Sequence, residues 1–86
     1  MTDEILAKVS GQVAETLQRE RGIDITPEPG MSLVDSGMLD SLSIITFIGR
    51  LESAFGISVS MADMTLENFD TIERITAMVK AKQLAG

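Results

Sequence analysis

Apolar residues recur at helical spacing in several segments of this 86-residue chain, and that spacing restricts its fold more than any other feature. In the clearest segment, Ile5, Val9, Val13 and Leu17 follow one another at four-residue intervals. They would form a single apolar stripe along a helix, which we predict over residues 3–20. A chain of this length has room for one domain, residues 1–86, whose core buries about 60% of the surface exposed by the unfolded chain.

A second helix is predicted over residues 41–55, with an unusually wide apolar face. On a helical wheel this face contains Ile44, Ile45, Phe47, Ile48, Leu51 and Phe55. A face of this width is typical of a central helix with several neighbours. The opposite face is predicted to be exposed and contains Leu42, Thr46, Gly49 and Ser53.

Residues with start and stop preferences predict the other helix boundaries. Thr2 and Gly22 are in position to cap the first helix. Residues 60–63 have the pattern of a capping box, which predicts a short third helix over residues 61–67. A start signal at Asp70 predicts a fourth helix, with its apolar stripe at Ile72, Ile75, Met78 and Val79.

Residues 22–40 have no helical periodicity and contain Pro27, Pro29, Gly30 and Gly37. A loop of this length in a small domain is unusual and tends to be functional. Its scattered apolar residues predict that it packs across the helices. The fold class is therefore all-α, a four-helix bundle with a long loop between helices I and II and a short helix III.

Composition excludes several classes of function. With no Cys and no His, the chain has no disulfide, no thiolate or imidazole zinc ligand and no Cys or His nucleophile. A net charge of −6 argues against nucleic-acid binding, and no apolar run is long enough for a signal peptide or membrane insertion, so we expect a cytoplasmic protein. A calcium loop starting at Asp35 fails because Asp40 and Thr46 occupy positions that require Gly and Glu. We expect neither a metal site nor catalysis.

Acidic residues dominate residues 22–73, which contain nine acids and one base, Arg50. The simpler interpretation is solubility and a monomeric state. The alternative is a surface that attracts basic partners by electrostatic steering. Composition alone does not choose between them.

Asp40, Ser41 and Leu42 lie where the long loop enters the second helix. A helix start is a favourable place for a phosphate, and a serine there is also a common N-cap. Leu42 shares the predicted exposed face with Gly49, which would allow another surface to approach closely. Two alternatives remain at this point, a modified serine and a helical adaptor in which Ser41 is only a cap.

At these residues the sequence resembles the phosphopantetheine-dependent acyl and peptidyl carrier proteins. The resemblance extends over residues 33–42 and 51–57 and the order of the helices. It implies that a phosphopantetheinyl transferase attaches 4′-phosphopantetheine from coenzyme A to Ser41, with Asp40 and Leu42 beside it. It also implies a partner-binding surface made of Met38, Asp40, Leu42, Thr46, Gly49, Val59, Met61 and Ala62.

The second helix departs from the fatty-acid carriers, which resemble this chain but have a densely acidic helix II. Here we expect its outer face to contain Ser43, Thr46, Gly49, Arg50 and Ser53, with Glu52 the only acid. The sequence is more similar to specialised free-standing carriers, including the D-alanine carrier proteins. That similarity implies a non-catalytic monomer that carries an acyl or aminoacyl thioester, is loaded by an adenylate-forming ligase or acyltransferase, and delivers to acyl-accepting enzymes.

Overall fold

The computed structural model describes residues 3–85, apart from the side chains of Ser41, Leu66 and Ala85. Four α-helices follow one another along the chain. They are α1 (Glu4–Arg21), α2 (Ser41–Phe55), α3 (Leu66–Phe69) and α4 (Ile72–Ala85), with a 3₁₀ turn (Met61–Asp63) before α3. No β-strand occurs within the described residues. The predicted all-α bundle with a long first loop is confirmed.

Helix α1 has a cap at each end. Asp3 caps its start by accepting the backbone N–H of Leu6 at 3.1 Å, whereas Thr2, the predicted cap, lies outside the described residues. Gly22 ends the helix in the left-handed conformation, with φ of 66°, as the sequence predicts. The second oxygen of Asp3 accepts a hydrogen bond from Lys80 Nζ at 2.6 Å, which joins the start of α1 to α4.

Helix α1, rather than α2, is the central helix of the bundle. It packs against both α2 and α4, while α3 packs against α4. Phe47 of α2 reaches Phe69 of α3 in an edge-to-face contact with ring centroids 6.5 Å apart. The wide apolar face predicted for α2 is therefore wrong at Ile45, which is 59% exposed because no element covers that side of the helix.

The long loop packs across the helices, as predicted. Leu33 and Leu39 are buried in the core. The backbone N–H of Leu33 donates to the carbonyl of Asp70 at 2.6 Å, and Ser32 Oγ donates to the carboxylate of the same residue at 2.6 Å. These contacts attach the middle of the loop to Asp70, between α3 and α4. The end of the loop returns to the C-terminal end of α1, where Asp40 contacts Arg21.

The segment between α2 and α4 differs from its prediction. The helix predicted over residues 61–67 is broken, because the 3₁₀ turn ends at Met64 and Thr65 caps a new helix by accepting the N–H of Asn68 at 3.2 Å. The start of α4 is also displaced by one residue. Thr71, and not Asp70, accepts the N–H of Arg74 at 3.1 Å.

Candidate functional site

Asp40 is the N-cap of α2. Its backbone is extended, and its Oδ1 atom accepts the N–H of Ser43 at 2.9 Å. Ser41 is consequently the first residue of the helix, and the alternative in which Ser41 is only the cap does not hold. A carboxylate makes a charge-assisted hydrogen bond to a helix N–H and is a stronger acceptor than a hydroxyl.

The second carboxylate oxygen of Asp40 contacts Arg21, the last residue of α1. Arg21 Nη1 lies 3.1 Å from Asp40 Oδ2. The hydrogen bonds from the Ser43 backbone and side chain, together with the charge of Arg21, lower the pKa of Asp40 below its usual value of 3.8. Asp40 is therefore a fixed anion at neutral pH, directly before Ser41.

A groove of about 490 Å³ lies between the end of α1 and the start of α2. It is lined by Glu20, Arg21, Asp40, Leu42, Ser43 and Thr46. Both chain neighbours of Ser41 belong to this lining. Leu42 is 77% exposed, which gives the groove an apolar rim with no covering element among the described residues.

A larger cavity of about 840 Å³ lies at the other end of α2. Residues 55–58, Asp63 and the last turns of α4 line it, and none of the predicted site residues does. Its size alone does not make it the functional site, because Ser41, the predicted attachment residue, is at the opposite end of the helix.

The predicted partner surface is only partly assembled in one place. Asp40, Leu42 and Thr46 meet in the groove. The other five predicted residues do not line it: Gly49, Met61 and Ala62 are exposed, whereas Met38 and Val59 pack against the core. Met61, at 89% exposure, and Leu42 are the two most accessible large apolar residues of this set.

The charged residues of α2 point away from its exposed face or are paired. Arg50, predicted on the outer face, lies 3.4 Å from Glu15 of α1 and is largely covered. Ser43, also predicted there, is buried against the cap. Glu52 accepts the backbone N–H of Val59 at 3.0 Å. The exposed face is therefore uncharged and contains Leu42, Ile45, Thr46, Gly49, Ser53 and Ala54.

Sequence reasoning missed Arg21 and Glu20 as parts of the site. They are separated from Asp40 by the long loop, and only the path of that loop shows that they meet. The available signal in the sequence is a cation at the end of α1, but the helix dipole alone already favours a cation in the last turn.

Residues 8–79 match the family model described as "Phosphopantetheine attachment site". The match includes α2 with its cap and the groove. The chain belongs to this family of phosphopantetheine-bearing carrier proteins. This carrier holds a covalent 4′-phosphopantetheine arm and is not itself an enzyme.

Curated relatives of this carrier are D-alanyl carrier proteins. That of Lactococcus lactis subsp. lactis is 34% identical over 73 residues, which cover 84% of this chain and 92% of the relative. That of Abiotrophia defectiva is 36% identical over 55 residues, which cover 64% of this chain and 70% of the relative. The prediction that this chain is similar to the D-alanine carrier proteins is confirmed.

The fold also matches a solved structure. A chain in the crystal structure of Bradyrhizobium japonicum glycine:[carrier protein] ligase, complexed with its cognate carrier protein and an analogue of glycyl adenylate, superimposes with a TM-score of 0.77. The identity is 23%, and the match covers 92% of this chain and 99% of the other. This likeness supports the bundle architecture.

Within residues 3–85, no helix is both long and apolar enough to cross a membrane.

Proposed function

We propose that Ser41 is the residue that bears the arm, and that this carrier transports a small amino acid as a thioester. The observation that carries the proposal is the cap. Because Asp40 satisfies the helix N–H of Ser43, the fold does not need Ser41 as a cap. Ser41 begins α2 between two residues that line the groove.

Attachment requires only one nucleophile from this chain. The Ser41 hydroxyl oxygen bonds to the phosphopantetheinyl phosphorus of coenzyme A, and the bond from that phosphorus to the bridging oxygen breaks, so that adenosine 3′,5′-bisphosphate leaves. The hydroxyl proton passes to a base of the transferase. A phosphopantetheinyl transferase supplies the catalysis, because the described site offers no histidine or other neutral base. The arm brings the thiol that this cysteine-free chain lacks, and the thioester forms there.

The names of similar proteins support the class of cargo. The relatives described above carry D-alanine, and the similar solved chain comes from a complex with a glycine-activating ligase. Both cargoes are small amino acids. We therefore propose an adenylate-forming ligase as the loading enzyme and an aminoacyl-accepting enzyme as the next partner, in the cytoplasm.

The uncharged face of α2 supports docking through apolar contact. Leu42 is 77% exposed, and Ile45, one turn further along, is 59% exposed. Gly49 follows on the same side, with open space where a side chain would be. We propose that partner enzymes contact this face, with Leu42 as the anchor and Thr46 beside it, and that Met61 and Ala62 of the 3₁₀ turn add contacts of their own.

Intact-mass spectrometry tests the attachment residue. The purified chain is incubated with coenzyme A and a broad-specificity transferase. We expect wild type and the control Ser53→Ala, an exposed serine on the same helix, to gain one phosphopantetheine group. Ser41→Ala should gain none. An unmodified wild type, or a modified Ser41→Ala, contradicts the proposal.

A panel of adenylate-forming ligases tests the cargo. Each ligase is given the arm-bearing protein, ATP and its own acid, and the mass gain is measured. We expect ligases for D-alanine or glycine to load the protein far faster than ligases for fatty or aromatic acids. Preferential loading with a long-chain acid would contradict the small-amino-acid proposal while leaving the attachment residue intact.

A further inference from the structure

Arg21 is the only cation among the residues that line the groove beside Ser41, in the described part of the chain. Glu20 and Asp40 are the acids of the same lining. A phosphodiester formed at Ser41 adds a further negative charge within this acidic surrounding. Without Arg21, two carboxylates would face the phosphate with no counter-charge in the groove.

The guanidinium of Arg21 has more N–H groups than its contact with Asp40 uses. One nitrogen, Nη1, lies 3.1 Å from Asp40 Oδ2, and the side chain is one-third exposed and lines the groove. A guanidinium carries five N–H groups in a planar fork that suits phosphate and carboxylate oxygens. Arg21 can therefore retain its hydrogen bond to Asp40 and still donate to a second oxyanion.

The helix start offers fewer donors than an uncapped one. Asp40 Oδ1 occupies the N–H of Ser43, and the carbonyl of Asp40 accepts the N–H of Ile44. A phosphate at the first helical position thus competes with a carboxylate that is already in place. A cation held beside that carboxylate offsets the repulsion between the carboxylate and the phosphate, because it can donate charge-assisted hydrogen bonds to both.

We propose that Arg21 is a positioning residue for the arm, its guanidinium bridging the carboxylate of Asp40 and the phosphodiester on Ser41. This inference rests on the proposed attachment at Ser41. It assigns to the last residue of α1 a role that its exposed ion pair alone does not require, because exposed pairs contribute little to stability.

Nuclear magnetic resonance of the arm-bearing protein tests this role. In wild type we expect the Nε–H signal of Arg21 to shift when the arm is attached, and the ³¹P signal to move as NaCl is added. In Arg21→Gln the salt-dependent movement should fall to less than about half of its wild-type extent. Arg21→Lys, which keeps the charge without the fork, should lie between the two.

Arg19→Gln is the matched control. Arg19 lies in the same last turn of α1 and pairs with Glu15 at 3.0 Å, away from the groove. In Arg19→Gln the ³¹P signal of the arm should move with added NaCl as in wild type. An unshifted Arg21 signal in wild type, or an Arg21→Gln response equal to that of the control, overturns the inference, and the first readout needs no variant to fold.

The two proposals fail in different ways. A chain that accepts no arm contradicts the attachment at Ser41 and this inference together. A chain that accepts the arm at Ser41 but whose phosphate is indifferent to Arg21 contradicts this inference alone.

Discussion

The carboxylate of Asp40 caps α2 by accepting the backbone N–H of Ser43 at 2.9 Å. The residue between them, Ser41, is therefore part of the first helical turn and not the cap that a serine at a helix start usually provides. In this way the structure separates the residue that stabilises the helix start from the residue that we propose is modified.

This separation predicts different effects for two neighbouring substitutions. Asp40→Ala should lower the urea midpoint of unfolding, because it removes the cap, whereas Asp40→Asn should keep most of it, since asparagine also caps helices. Ser41→Ala should leave the midpoint close to wild type and abolish modification. A Ser41→Ala chain destabilised as much as Asp40→Ala would show that Ser41 contributes to the cap.

Leu33 should be the residue through which the long loop is anchored. It is fully buried, and its N–H donates to the carbonyl of Asp70, between α3 and α4. Leu33→Ala should lower the free energy of unfolding by about 2–5 kcal/mol, through lost apolar contact and a cavity. Ile25→Ala, in the exposed part of the same loop, should cost much less, and equal losses in urea titrations would contradict a buried anchor.

Acid should weaken the contact between the 3₁₀ turn and α4. A hydrogen bond from Lys82, followed by bonds from Ser60, lowers the pKa of Asp63 from 3.8 to about 2. Because the folded value is the lower one, the stability contributed by this carboxylate is complete above the ordinary value and is lost as pH falls from 3.8 toward about 2.

Unfolding midpoints measured across this acidic range check the effect of Asp63. Asp63→Asn should have a flatter dependence on pH than wild type between 3.8 and about 2. The hydrogen bond from Lys80 also lowers the pKa of Asp3, so Asp63→Asn should retain part of the slope. Identical curves for wild type and variant would contradict the assignment.

We expect the lack of a side chain at Gly49 to lower the stability of α2 and to favour docking. Space is open at its Cβ position, so Gly49→Ala should stabilise α2 by up to about 1 kcal/mol. If a partner approaches this face closely, the same methyl group should reduce kcat/KM for loading. Ser53→Ala is the control on the same helix, and an unchanged loading rate in Gly49→Ala would exclude close approach at this position.

Salt should have little effect on loading. The exposed face of α2 is uncharged, because Arg50 pairs with Glu15 and Glu52 bonds to Val59. Raising NaCl about tenfold should change kcat/KM by less than about twofold. A Thr46→Glu variant, which adds a charge to the face, should respond more steeply with a basic partner. A steep response of wild type that maps to α2 would contradict apolar docking.

The parts of the fold that depend on residues close together in the sequence were predictable. Helix α2 was predicted with its observed bounds because its apolar period ends at Gly56, which has φ of 65°. The break between the 3₁₀ turn and α3 was not, because Ser60 and Thr65 each provide a start and the pattern could not show that both are used.

Predictions about the site divide in the same way. Asp40, Ser41 and Leu42 are adjacent in sequence and could be assigned together from the resemblance. Arg21 meets Asp40 only because the intervening loop folds back, and this depends on the burial of Leu33 and on its hydrogen bond to Asp70. The exposure of Ile45 likewise depends on which helix is central, and helical periodicity does not specify that.

The most direct test of the carrier role is tandem mass spectrometry of the protein after loading with ATP, an amino acid and its ligase. We predict that the cargo is released together with the pantetheine fragment from the peptide containing Ser41, and that hydroxylamine removes the cargo but not the arm, as for a thioester. Cargo attached to any other residue, or a Ser41 peptide that bears no arm, would contradict the account.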